Sequence, residues 1–420
     1  MRRSHALLAG GVILGAAGLL LGGSSGGTKA EIGGSGIDVE ETATYASLAE
    51  NAVVTPPKPP VPAAELLDLD HVERVGDRFE AKLSDGRRVI LTLDPTLQAA
   101  AEKILVDSRA PKAAIVAMTP DGKILALAGR HADDPKGSLD GAFDGKLATE
   151  AWAPAASVFK LVTASALLSA GVHADDQVCF HGGIRSVLES NLKDDRRDNQ
   201  CKDLTFGVAH SNNAILGKLA YQHLEPDVLD RFAKELGFGA HTIGSAPMGT
   251  AAIPTTKDLS FAQAAAGFSG SQLSVIGGAL LAATFADDGE QPTPYVIASV
   301  DGVDAKPVAG KHRAVPIEIA HEVQKMMMAT CDIGSASRSF RHHNVKVAGK
   351  TGTLTRTDPF YMEHSWFVGY APVESPSIVV AVVLGNPENW HLRGQEAARR
   401  LIDKALAPSE PASGRAKDRK

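Results

Sequence analysis

Three short clusters of hydroxyl, amine and amide side chains are the residues of this chain whose types and spacing suit catalysis. The first holds Ser157 and Lys160. Residues three apart on a helix share a face, so the amine would lie beside the hydroxyl. A serine becomes a good nucleophile when an adjacent base takes its proton. A lysine serves as that base when burial and positive neighbours lower its pKa. The pair suits acyl transfer through a serine ester, although in isolation Ser157 is more typical of an ordinary helix N-cap.

The second cluster holds Ser211 and Asn213, between predicted helices at 204–210 and 214–223. A hydroxyl at Ser211 would relay a proton between Lys160 and a leaving group. The amide of Asn213 would bind a substrate carbonyl and orient the lysine. In isolation the cluster is equally typical of helix capping, because serine and asparagine are common caps.

The third cluster, Lys350, Thr351, Gly352 and Thr353, lies in a predicted strand. Gly352 would let a substrate backbone approach the strand closely. The lysine and the threonine hydroxyls suit a substrate carboxylate. The backbone N–H of Thr353, with that of Ser157, is placed to stabilise an oxyanion. In isolation the pattern is also typical of a glycine-weakened edge strand with a solvated lysine.

A second Ser-x-x-Lys, formed by Ser190 and Lys193, shows that the first cluster alone is weak evidence. It falls in a polar, charge-rich segment, where a lysine stays solvated and protonated. The ordered set is more specific, with 54 residues from Ser157 to Ser211 and 139 from Ser211 to Lys350. Each cluster also falls in the setting that its chemistry needs: a helix start, a loop between helices and a strand.

The ordered set resembles the Ser-x-x-Lys, Ser-x-Asn and Lys-Thr-Gly motifs of penicillin-recognising serine enzymes. From about residue 91 to residue 407 the chain looks like the transpeptidase domain of penicillin-binding proteins. Further similarity lies at 91–98, at 334–336 with Phe340, and at 365–372. The chain departs from the family at Ala156, because family members often carry glycine immediately before the nucleophile.

The resemblance implies that Ser157 is the acylated residue, Lys160 the general base and Ser211 the proton shuttle. It assigns the other residues of the clusters to substrate binding: Asn213, Lys350, Thr351, Gly352 and Thr353. The implied substrates are D-Ala-D-Ala ends of peptidoglycan stem peptides, which would be crosslinked, and a β-lactam would mimic them and block the serine. No metal or organic cofactor is implied.

Three other functions stay open at this stage. A D,D-carboxypeptidase would pass the same acyl group to water instead of an amine. A serine β-lactamase of one class would need Glu-x-x-Leu-Asn after the second cluster, but Glu225 lacks the Leu-Asn and Glu189 precedes Ser211. A non-catalytic penicillin-binding or wall-binding protein would keep the fold, although it would need neither nucleophile nor base.

Strand-like runs at both ends of the chain, with an Ala-rich helical middle at 157–285, predict an α+β fold. Hairpins are predicted at 78–93 and 113–128, where Asp-Gly turns join apolar runs. The resemblance implies a transpeptidase/β-lactamase-like architecture, with a mostly antiparallel five-stranded sheet packed against helices and an all-helical lobe. An amphipathic helix at 395–407 would close the domain.

Composition and the N-terminal residues bear on location and partners. The net charge is -6 and there is no basic stripe, which argues against nucleic acid as a partner. Arg2 and Arg3 precede an apolar run at 6–21, as in an uncleaved anchor or an export signal. This predicts the extracytoplasmic side of the bacterial inner membrane. The expected parts are an anchor or signal at 1–30, a Pro-rich linker at 31–70, the enzyme domain at 71–407 and a disordered tail at 408–420.

The three cysteines suggest one crosslink. Cys179 and Cys201 bracket a polar segment with little core of its own. In an exported chain they are disulfide candidates, and such a bond would stabilise the fold by about 3 kcal/mol. Two buried free thiols are the alternative. Cys331 is left over by count and is expected to be packed, and no Cys/His spacing predicts a zinc site.

Overall fold

The computed structural model describes residues 62–132, 142–182, 185–243, 247–305 and 310–408. The predicted anchor or signal at 1–30 and residues 409–420 of the predicted tail lie outside these ranges. Of the predicted linker only residues 62–70 are described. Leu66, Leu67 and Leu69 of that stretch pack against the main core. None of the described helices combines the length and the apolar character that a membrane crossing requires.

The described strands and helices alternate along the chain, with strands concentrated at its two ends. The strands are β1 Val72–Val75, β2 Arg78–Lys82, β3 Arg88–Leu91, β4 Lys112–Met118, β5 Ile124–His131, β6 Ala142–Phe143, β7 Ala153–Pro154, β8 Val178–Phe180, β9 Gln200–Lys202, β10 Gly249–Ala251, β11 Ser271–Leu273, β12 Glu290–Pro292, β13 Ile297–Val300, β14 Val303–Asp304, β15 Lys311–Arg313, β16 Ala348–Arg356, β17 Met362–Ala371 and β18 Ile378–Asn386. The helices are α1 Pro95–Ser108, α2 Lys160–Ser169, α3 Leu204–Ala209, α4 Asn213–His223, α5 Pro226–Glu235, α6 Leu259–Ala265, α7 Val275–Ala286, α8 Ile317–Asp332, α9 Ser337–Phe340 and α10 Gly394–Ala405.

The main sheet is antiparallel and, within the described residues, runs in the order β16-β17-β18-β4-β5-β6. Its central strand β18 is buried along its whole length, as its unbroken apolar sequence requires. Helices α1 and α10 pack on one face, and the helical lobe packs on the other through α7. The predicted α+β class is confirmed, and β6 adds a two-residue strand to the five expected.

A second sheet, β1-β2-β3-β13-β14, lies at the start of the described chain. The predicted hairpin is its β2–β3 pair, which turns through Asp85 and Gly86. In this sheet β13 pairs with β3. That partnership joins segments about two hundred residues apart, so no local pattern encodes it.

The helical lobe carries short strands as well as helices. A small sheet forms in the order β7-β11-β10, and its strand β7 directly precedes the segment of Ser157 in the chain. β8 and β9 pair with Cys179 opposite Cys201, and a disulfide joins the two cysteines. The lobe is therefore less uniformly helical than the Ala-rich sequence predicted, because pairing with distant segments overrides helix propensity in these short stretches.

Candidate active site

The hydroxyl of Ser157 and the amine of Lys160 are adjacent at the start of α2. Ser157 lies in a 3-10 turn, Ala156–Phe159, and Lys160 is the first residue of the helix. The turn brings Lys160 Nζ to 2.7 Å from Ser157 Oγ. Ala156 adopts φ +49°, a left-handed conformation that glycine accepts without strain. This explains in physical terms why glycine is common at this position in the family.

Lys160 is fully buried, and two carbonyl-type acceptors surround its amine in addition to the serine. Nζ donates to Asn213 Oδ1 and to the backbone oxygen of Ala266, both at 2.6 Å. Burial, and then the charge of Lys350, lower the Lys160 pKa well below its ordinary value. A neutral amine has two N–H bonds and one lone pair. In the neutral form, with both N–H bonds donated to these two acceptors, the lone pair would face the hydroxyl of Ser157.

The loop between α3 and α4 carries the second cluster. Ser211 adopts φ +57°, and Asn212 caps α4 by accepting from the backbone N–H of Ile215. These two features set the direction of the chain, so that Ser211 Oγ lies 3.0 Å from Lys350 Nζ while Asn213 reaches Lys160. The second cluster therefore links the first cluster to the third.

The third cluster lies on β16, the edge strand of the main sheet in the described chain. Lys350 is fully buried, and burial lowers its pKa to about 7. Its amine donates to the backbone oxygen of Thr351 at 2.8 Å as well as to Ser211. Gly352 faces the nucleophile segment, and a Cβ there would lie 3.3 Å from Val158 Cγ2. The nearest atom to that Cβ would be Trp366 Cβ at 3.1 Å, so a side chain at this position would crowd the packing between β16 and the nucleophile segment rather than the cleft, which Gly352 does not line.

A cleft of about 580 Å³ joins the three clusters. It is lined by five of the predicted residues: Ser157, Ser211, Asn213, Thr351 and Thr353. Lys160 and Lys350 do not line it, because they lie fully buried behind the wall and reach the cleft through Ser157 and Ser211. Among the described residues, no group of His, Cys, Asp or Glu could hold a metal ion.

Several lining residues were missed by sequence reasoning. They are Arg185, His210, Phe268, Ser335, Thr355, Glu363 and Arg393, which come from separate elements. Ser335 Oγ lies 2.6 Å from Thr351 Oγ1, so it extends the hydroxyl row of the third cluster. Thr355 had a signal in strand alternation, because it follows Thr351 and Thr353 at a period of two. Ser335 lies in the stretch 334–336 that resembles the family, and for the others the local sequence contains no corresponding signal.

The second Ser-x-x-Lys does not form such a site. Ser190 Oγ lies 2.8 Å from His181 Nε2, and Lys193 is exposed. His181 Nδ1 in turn lies 2.7 Å from Asp198 Oδ1, and Asp198 pairs with the buried Lys218. Apart from Lys218 on α4, this polar network lies inside the segment that the disulfide closes. The two Ser-x-x-Lys segments differ in the burial of their lysines, because Lys160 is buried and Lys193 is exposed, as the sequence predicted for Lys193.

Comparisons with known proteins agree with this geometry. The family model described as penicillin binding protein transpeptidase domain matches residues 113–406. A peptidoglycan D,D-transpeptidase PbpA of Mycobacterium tuberculosis is 25% identical over 361 residues, covering 74% of this chain and 70% of the relative. Stage V sporulation protein D of Bacillus subtilis is 27% identical over 354 residues, covering 79% of this chain and 54% of that protein.

Solved structures share the fold. Penicillin-binding protein A of M. tuberculosis, as a ceftriaxone acyl-enzyme complex, superimposes with a TM-score of 0.64 at 22% identity, covering 77% of this chain and 80% of that one. A D,D-transpeptidase domain from Eggerthella lenta gives 0.61 at 26% identity, with 76% and 83% covered. Since the family model spans more than half of the sequence, this chain belongs to the penicillin-binding protein transpeptidase domain family.

Proposed function

We propose that this protein is a serine D,D-transpeptidase of the bacterial cell envelope, which crosslinks peptidoglycan stem peptides that end in D-Ala-D-Ala. The observation that carries the proposal is the environment of Lys160. Its fully buried amine lies 2.7 Å from Ser157 Oγ, with both N–H bonds donated elsewhere. A base held neutral beside a hydroxyl suits acyl transfer and has no use in a module that only binds.

The proposed acylation begins when Ser157 Oγ attacks the carbonyl between the two D-Ala residues. The hydroxyl proton passes to Lys160, and the backbone N–H groups of Ser157 and Thr353 stabilise the oxyanion. The C–N bond then breaks, and Ser211 relays the proton from Lys160 to the departing amine of D-Ala. An amine of a second stem peptide attacks the ester, forms the crosslink and restores the Ser157 hydroxyl.

The third cluster suits the terminal carboxylate of the substrate. Lys350, with a pKa of about 7, stands behind Ser211 at the same end of the cleft as Thr351. A bound carboxylate would raise the Lys350 pKa and favour its charged form. The hydroxyls of Thr351 and Thr353 line the cleft and would donate hydrogen bonds directly to this carboxylate. A β-lactam carries a carboxylate in the same relation to its reactive carbonyl, and it would leave Ser157 as a stable ester.

A β-lactamase would need a further base to activate water for rapid deacylation. Among the described residues that line the cleft, Glu363 is the only carboxylate. Glu225, the candidate from sequence, instead pairs with Lys257 at 2.8 Å and does not line the cleft. The described cleft therefore favours a long-lived acyl-enzyme over rapid hydrolysis of β-lactams.

Covalent labelling with a fluorescent penicillin tests the proposed function. Wild type should form a stable adduct of one penicillin per chain, seen by gel fluorescence and intact mass, because among the described residues no carboxylate other than Glu363 lines the cleft to activate a deacylating water. Ser157→Ala should form none, whereas Ser190→Ala, in the second Ser-x-x-Lys, should label like wild type. An adduct that persists in Ser157→Ala would overturn the assignment, and rapid drug hydrolysis without an adduct would indicate a β-lactamase.

The proposal includes a membrane anchor or signal segment at 1–30, a Pro-rich linker at 31–70 whose last residues pack against the core, the enzyme domain at 71–407 and a tail at 408–420. Arg2 and Arg3 ahead of the apolar run at 6–21 support this assignment. We expect the full chain to sediment with membranes, and a chain lacking residues 1–30 to be released when it is exported by an unrelated signal peptide. Equal membrane retention of both forms would contradict the anchor.

A further inference from the structure

The far end of the cleft, away from Lys350, carries two opposite charges that are incompletely paired. Glu363 Oε1 lies 3.8 Å from Arg393 Nη1, beyond hydrogen-bond distance. That oxygen is buried and has no hydrogen-bond partner among the described residues, although the side chain borders the cleft. The Arg393 guanidinium lies over the ring of Trp390, at 4.2 Å from its centroid, which fixes its plane. A buried carboxylate oxygen without a donor is costly, so a donor supplied by a ligand would stabilise this end of the cleft.

The strand register of the main sheet shows which residue of a bound peptide would lie near Glu363 and Arg393. β16 is the edge strand, so an extended peptide can add beside it as a further strand. In the proposed pose the terminal carboxylate lies beside Thr351 of β16 and the reacting carbonyl beside Thr353. The peptide residue before the D-Ala pair then lies beside Thr355. On the other side of β16, Thr355 pairs directly with Glu363 of β17. The residue before the D-Ala pair is therefore the one whose side chain passes this site.

We propose that Glu363 and Arg393 form a specificity subsite for a zwitterionic group at the end of that side chain. The inference rests on the proposed function, because it takes the position of the peptide from it. An ammonium would donate to the unpartnered Oε1 of Glu363, and a carboxylate on the same carbon would accept from Arg393. A single charge would satisfy only one of the two residues. Two strand spacings, roughly 10 Å, separate the added strand from β17, which a long side chain and Glu363 together span.

Competition against penicillin labelling tests the subsite. Two synthetic peptides ending in D-Ala-D-Ala would be compared, each with a diamino diacid before the D-Ala pair. In one peptide the side chain ends in a free ammonium and carboxylate, and in the other both groups are capped as amides. The measured quantity is the peptide concentration that halves the labelling rate. For wild type the free peptide should compete at about tenfold lower concentration, as expected for charge-assisted hydrogen bonds.

Two variants test whether the difference between the two peptides arises at Glu363. Glu363→Gln should reduce the ratio between the two peptides to below about twofold, since an amide lacks the charge that attracts the ammonium. Glu290→Gln is the matched control, because Glu290 pairs with Arg313 at 2.9 Å outside the cleft, and it should keep the wild-type ratio. Equal competition by both peptides, competition by neither, or an unchanged ratio in Glu363→Gln would overturn the subsite while labelling persists. Loss of wild-type labelling itself would instead overturn the proposed function.

Discussion

Lys160→Gln is expected to lower the second-order rate constant of acylation by penicillin about 10²- to 10⁴-fold, the usual contribution of a general base. Glutamine has a similar length and its amide can still donate to Asn213 Oδ1 and the backbone oxygen of Ala266. It has no basic lone pair to receive the proton of Ser157. The variant therefore isolates proton transfer from the packing of a fully buried side chain.

The pH profile of the same rate constant distinguishes loss of the base from loss of the fold. In the proposed mechanism Lys160 acts when it is neutral, so wild-type acylation should fall as the pH drops through its lowered pKa. Lys350 would bind a carboxylate when it is charged, so acylation should also fall as the pH rises above about 7. Lys160→Gln should lose the acid limb and keep the alkaline limb, because only the second limb belongs to Lys350.

Lys193→Gln provides the control for this experiment. Lys193 occupies the same position of the second Ser-x-x-Lys but is exposed. Its replacement should leave both the rate constant and the pH profile unchanged, since Lys193 does not line the cleft. An acylation rate for Lys160→Gln within tenfold of wild type would show that another group takes the proton.

Gly267→Ala is expected to lower the acylation rate constant by roughly 10²-fold or more, because it displaces the nucleophile segment. Gly267 has φ +83°, and a Cβ there would lie 2.2 Å from the backbone oxygen of Ala156 and 3.3 Å from the backbone nitrogen of Ser157. Both contacts are to backbone atoms, which cannot rotate away. The preceding residue, Ala266, also supplies the carbonyl that accepts from Lys160, so the clash would disturb nucleophile and base together.

Gly171→Ala separates this clash from the cost of the backbone conformation. Gly171 has φ +88° and nothing within 4 Å of the position of a Cβ. Both variants should lose about 1 kcal/mol or more of unfolding free energy, because alanine resists a positive φ. Acylation kinetics and thermal melting would be measured on each. If Gly171→Ala and Gly267→Ala acylate at the same rate, the contact with Ala156 does not position the nucleophile.

Much of the active site is local and could be predicted from the sequence. Ser157 and Lys160 are three residues apart at a helix start, so their adjacency is a property of helical geometry alone. The row of Thr351, Thr353 and Thr355 follows from the two-residue period of a strand. The hairpins and the capped starts of α1 and α4 depend equally on neighbouring residues, as with Asp94 before Pro95.

The remaining contacts depend on segments that meet only after folding. Ala266 lies 106 positions after Lys160 but supplies one of its hydrogen-bond acceptors. Glu363 and Arg393 come from different elements, and neither belongs to a motif. Their meeting depends on the register of β16 with β17 and on the position of α10, which long-range packing determines.

The sequence by itself determined which side chains can react in this protein, their order, and the local geometry within each cluster. The tertiary structure lowered the pKa values of the two lysines, because burial lowers both and the charge of Lys350 lowers that of Lys160 further, neither of which follows from residue type. It also determined the shape of the cleft and which residues line its end away from Lys350. Residue chemistry and local periodicity are short-range properties, whereas desolvation and pairing between distant strands arise only when the whole core is packed.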